Sequence, residues 1–66
     1  MEIKIELLKL GKRQKDLIAE LRGRGFKVSP SDFSCMVNGY LQTPKAEKVL
    51  AESEVIINEW KESAEA

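Results

Sequence analysis

Along most of the chain, apolar residues recur at steps of three and four, the spacing of helices that bury one face. Near the start, Ile3, Leu7 and Leu10 fall at helical spacing and Gly11 supplies a stop. The alternation Ile3, Ile5, Leu7 also suits a short strand, and helix is the preferred reading. From Lys12 to Arg22 the apolar Leu17, Ile18 and Leu21 share a face with charges opposite, and Gly23 and Gly25 end the pattern. Phe26-Lys27-Val28 then alternates apolar, polar, apolar, which predicts an extended connector with Phe26 and Val28 turned to the core.

The next start signals are sharper. Ser29 reads as an N-cap, Pro30 as the first helical residue, and Asp32 as the acidic member of a capping box. The helix they open is short, buries Phe33, Met36 and Val37, and stops at Asn38-Gly39. After Tyr40-Leu41-Gln42, Thr43-Pro44 repeats the cap-and-proline logic. Ala46, Val49, Leu50, Ser53, Ile56, Ile57, Trp60 and Ala64 form one stripe, which favours a continuous helix; a break near Ser53-Glu54 is also compatible. The chain is thus expected to be all-α, with four or five helices, the last covering about residues 44 to 63.

Length and composition narrow the chemistry. At 66 residues there is room for one domain with one small core, spanning 1–66. Cys35 has no partner in the chain and there is no histidine, so an intrachain disulfide and a Cys/His zinc site are excluded and a reducing cytoplasm is expected. No apolar run approaches the roughly 18 residues of a membrane span. The first ten residues are charged too evenly for a signal peptide, so export is not expected. Without histidine the Ser–His and Cys–His nucleophile pairs are impossible, and Gly23-Arg24-Gly25 lacks a nucleotide-binding spacing. No enzyme, cofactor, metal or small-molecule substrate is therefore expected. The net charge is zero, but residues 1–48 carry ten basic against six acidic side chains (+4), and residues 49–66 one against five (−4). A basic body with an acidic tail pointing away is the arrangement this asymmetry suggests.

The run Gly11-Lys12-Arg13-Gln14-Lys15-Asp16-Leu17-Ile18-Ala19-Glu20-Leu21 resembles the first motif helix of phage repressor and Cro-like regulators. Ser31-Asp32-Phe33-Ser34-Cys35-Met36-Val37-Asn38-Gly39 resembles the recognition helix that follows, and Pro44-Lys45-Ala46-Glu47-Lys48-Val49-Leu50 the next helix. The resemblance covers roughly residues 3–52, with the motif at about 12–39. It departs from the common pattern twice: the stretch between Leu21 and Phe33 is longer than the tight turn, as in small prophage-encoded forms, and Arg13 stands where Thr or Ser is usual.

The resemblance implies a compact lambda-repressor-like helix-turn-helix domain and a phage-type transcriptional regulator that binds double-stranded DNA in the cytoplasm, near the nucleoid. The second motif helix would lie in the major groove, making Ser31, Ser34, Cys35 and Asn38 the candidates for base or groove contact. Lys12, Arg13, Gln14, Lys15, Tyr40, Gln42 and Thr43 are the candidates for phosphate contact. Members commonly bind as dimers, and Ile56, Ile57 and Trp60 are the candidate homodimer interface, with folding back onto the first helix as the alternative. A protein-interaction module or accessory factor on the same scaffold is the competing reading, which the neutral charge and short candidate side chains permit.

Overall fold

The computed structural model describes residues 2–65, with side chains through Ser63. Four helices follow in order: α1 (Ile3–Leu10), α2 (Gln14–Gly23), α3 (Pro30–Val37) and α4 (Pro44–Glu65), with no strand among the described residues. The strand alternative for the first segment is therefore excluded, and the C-terminal region is one helix.

Local chemistry sets these boundaries. At the start of α2, Arg13 offers no acceptor for capping, but the Asp16 carboxylate accepts the Arg13 backbone N–H at 3.0 Å. This moves the start from Lys12 to Gln14. At α3 the Ser29 hydroxyl accepts the Asp32 N–H at 3.1 Å, and at α4 the Thr43 hydroxyl accepts that of Ala46 at 3.1 Å. The reciprocal half of the expected capping box does not form: the exposed Asp32 side chain makes no hydrogen bond or ion pair among the described residues. α3 closes in a Schellman motif, in which Tyr40 N–H donates to Cys35 O at 2.9 Å and Gly39 N–H to Met36 O at 3.2 Å. α2 closes in the same way through Phe26 N–H to Leu21 O and Gly25 N–H to Arg22 O. Gly25 and Gly39 have φ of 94° and 83°, a region that costs any side-chain-bearing residue energy, so glycine is the residue these turns require.

Packing centres on α4. Its 22 residues correspond to about 33 Å of helix, close to the 35 Å long dimension of the molecule, and it packs against each of the other three helices. The core joins Ile3 and Leu7 of α1, Leu17, Ile18 and Leu21 of α2, Phe33 and Met36 of α3, and Ala46, Val49, Ile56 and Ile57 of α4. Val28 of the connector is buried and Phe26 packs at its edge, as the alternating pattern predicts. Ser53 lies in the middle of the buried stripe, where its hydroxyl donates to Val49 O at 2.7 Å. The helix therefore continues through Ser53-Glu54 with the buried hydroxyl satisfied. Ala64, the last member of the expected stripe, lies outside the residues with described side chains.

The C-terminal half is not a tail. Glu52 and Glu59, two turns apart on α4, both receive the Arg24 guanidinium, at 3.0 and 2.6 Å. Lys61 reaches Glu6 of α1 at 2.6 Å. Two of the glutamates expected to point away, Glu52 and Glu59, are thus paired with an arginine of the basic half.

Candidate nucleic-acid interface

Burial of Phe33 and Met36 fixes which side of α3 meets solvent. Ser31 and Asn38 are exposed, Ser34 and Cys35 are half-buried, and Asp32 joins them on the accessible side. The four candidate base-contact residues thus all keep some exposure on one eight-residue helix whose two ends are capped. Their hydrogen bonds limit what they offer. The Asn38 side-chain amide donates to Ser34 O at 2.9 Å and to Ser34 Oγ at 3.4 Å. Its nitrogen is turned back onto the helix, and the carbonyl oxygen is what remains for a partner; a bidentate contact with a base, which needs donor and acceptor together, requires the side chain to let go of Ser34.

The candidate phosphate contacts divide into two groups. Arg13 and Lys15 are exposed at the N-terminal end of α2, and Gln14, its first residue, is half-buried. Arg13 and Lys15 make no side-chain hydrogen bond or ion pair among the described residues. Lys12 is drawn elsewhere: its ammonium lies 5.2 Å from the centroid of the Trp60 ring, a cation–π contact with α4. In the loop between α3 and α4, Gln42 donates its side-chain amide to Gly39 O at 3.2 Å and Thr43 is occupied as the cap of α4. Tyr40 is 84% exposed, more than Leu8, Ile5 or Val55.

Two of the three candidate dimer residues lie in the core of their own chain. Ile56 and Ile57 are 1% and 0% exposed within their own chain, because the stripe that carries them faces α1 to α3 rather than solvent. They leave no side-chain surface for a second copy. Trp60 is half-buried, packed at the core edge beneath Lys12. The large aliphatic side chains exposed among the described residues are Leu8 at 80%, Ile5 at 50% and Val55 at 48%; the pattern of the sequence names Ile5 only in the strand alternative and neither of the other two.

Sequence reasoning also missed the Arg24–Glu52–Glu59 cluster. The seven-residue spacing of the two glutamates was a usable signal that they share a helix face, but nothing local ties them to an arginine 28 and 35 positions away. These carboxylates hold the Arg24 guanidinium even more firmly in its protonated form, with the Glu59 hydrogen bond the larger cause and that of Glu52 next.

With the geometry described, known proteins add nothing to it. No family model, curated protein or solved structure matches this chain. Among the described residues no cluster of His, Cys, Asp or Glu is placed to hold a metal, and no helix is long and apolar enough to cross a membrane.

Proposed function

We propose that the chain binds double-stranded DNA through α3, as a helix-turn-helix regulator of the phage-repressor type acting in the cytoplasm. The observation that carries the reading is the outer side of α3: a short helix, anchored through Phe33 and Met36 and closed at both ends, that presents only small side chains among Ser31, Ser34, Cys35 and Asn38. A helix with a slim, polar outer face can enter a major groove about 12 Å wide without steric conflict. The unpaired cations Arg13 and Lys15 at the start of α2, and the projecting Tyr40 after α3, supply groups that can hold the backbone on either side.

The short reading side chains and the folded-back Asn38 amide imply modest sequence discrimination. Titration of a duplex selected from a random pool and of a scrambled duplex, at several salt concentrations, tests the assignment. Arg13→Ala or Lys15→Ala is expected to weaken both duplexes alike and lower the slope of log affinity against log salt by up to about one unit. Ser34→Ala or Asn38→Ala is expected to reduce the preference for the selected duplex, by at most about 1–3 kcal/mol, with the slope retained. Absence of binding by the parent protein at low salt refutes the reading.

One observation favours a protein-interaction module as the second reading. Leu8 and Ile5, three residues apart on the outer side of α1, are large aliphatic groups left in water. Flow-through of the protein on immobilised duplex at low salt selects this reading.

A further inference from the structure

The last turn of α2 and the connector to α3 carry a second basic feature, separate from the start of α2. Arg22, Gly25, Phe26, Lys27, Val28 and Ser29 line a groove of about 520 Å³. Its walls are mostly apolar backbone and side chain, with Val28 buried and Phe26 half-buried, and its charged members are Arg22 and Lys27. Neither makes an ion pair or side-chain hydrogen bond among the described residues. This contrasts with Arg24, between them in sequence, whose guanidinium is neutralised by Glu52 and Glu59. The last turn of α2 and the connector thus hold three cations, of which Arg24 is engaged with α4 while Arg22 and Lys27 line the same groove.

The groove is also held in place. Val28 is inserted in the core, Phe26 N–H closes the end of α2 on Leu21 O at 3.0 Å, and Arg24 ties the same segment to α4. The backbone that carries Arg22 and Lys27 is therefore fixed relative to α3, and an anion meeting both would lose little by ordering it. The nearest acidic residue along α3 is Asp32, three positions beyond Ser29.

From this arrangement we infer that Arg22 and Lys27 form a second phosphate-contact site, which takes the backbone of the same duplex that α3 enters. The inference rests on the DNA-binding reading and extends it. The end of α2 and the connector then add a basic edge beside the reading helix. Arg22 and Lys27 position the protein on the duplex and do not read bases.

The test is salt-dependent titration of the parent protein and of Arg22→Gln/Lys27→Gln on the selected and the scrambled duplex. Circular dichroism and thermal melting confirm that the exposed substitutions leave the fold intact. The expected result is a salt slope lower by up to about two units, one per lost contact. Affinity should fall by the same factor on both duplexes. Arg13→Gln/Lys15→Gln serves as the parallel arm. If it lowers the slope while the connector variant titrates like the parent, the groove lies off the DNA and this inference fails while the DNA-binding reading stands. A connector variant that loses sequence preference with its slope unchanged also overturns it. If the parent binds neither duplex, the reading and the inference fall together.

Discussion

Ser53 is fully buried, and its replacement by alanine tests how α4 is held. Its hydroxyl donates to Val49 O, one turn back, at 2.7 Å. In an α-helix that carbonyl also receives the backbone N–H of residue 53, so Ser53→Ala leaves no orphaned acceptor. The lost hydrogen bond is worth about 0.5–1.5 kcal/mol net. Against this, alanine is a better helix former by roughly 0.5 kcal/mol. The terms nearly cancel, and Ser53→Ala is expected within about 1 kcal/mol of the parent, a shift of no more than roughly 4–8 °C in melting temperature for a domain this small.

Ser53→Val behaves differently. Valine needs more volume at a site with 0% exposure, and the overpacking costs about 1–3 kcal/mol. Thermal and urea denaturation of both variants, followed by helical circular dichroism, should place Ala near the parent and Val clearly below both. A loss above about 2 kcal/mol for Ser53→Ala would mean that the hydroxyl holds more than its own turn, since the terms above cannot supply it. A valine variant as stable as the parent would refute the close packing of α4.

Three further outcomes follow from the same geometry. Gly39→Ala should cost about 1–2 kcal/mol, because a Cβ there meets no atom within 4 Å and the left-handed backbone alone is penalised; Gly39→Asn should lose less, as chemical denaturation of the pair will show. The Lys61 hydrogen bond holds the Glu6 carboxyl below the ordinary glutamate range despite its partial desolvation. Its stabilisation is thus fully present above the ordinary glutamate value of about 4.3 and lost as pH falls below it, so the melting temperature of Lys61→Met should drop less on acidification than that of the parent; parallel curves refute the coupling. Asp32→Asn should tighten binding to selected and scrambled duplexes alike, since its free carboxylate lies on the side of α3 proposed to approach phosphates; unchanged affinity in a salt titration would place it away from the backbone.

What was legible in the sequence is what local chemistry decides. Ser29-Pro30 and Thr43-Pro44 mark helix starts because a hydroxyl cap and a fixed φ act within one turn, and Gly25 and Gly39 mark stops because the left-handed turn is a property of single residues. The stripe from Ala46 to Trp60 showed that α4 has one buried face but not what covers it. An apolar Ile56-Ile57 looks the same whether a second copy or its own α1 buries it. The structure assigns the pair to its own core. Asp32 had the right spacing for a capping box, yet the rule gives the residue types and not the rotamer, and only the Ser29 half forms. Lys12 was legible as a cation but not as one already placed over Trp60, 48 positions away in the chain.

The same long-range pairing decides how a chain of zero net charge could hold a polyanion. Far from the surface, beyond a screening length of about 8–10 Å, the opposed halves of the sequence cancel and little field is left to draw in a duplex. Close in, the sum is the wrong quantity. Glu52 and Glu59 are engaged with Arg24, and Glu6 with Lys61, while Arg13, Lys15, Arg22 and Lys27, at the start and end of α2 and in the connector, make no ion pair among the described residues. A neutral molecule of this kind attracts phosphates at contact and not at a distance. Association should then run at the unsteered rate of about 10⁵–10⁷ M⁻¹s⁻¹ and vary little with salt. The salt dependence of affinity should appear in dissociation, where the contacts made by those four side chains are broken.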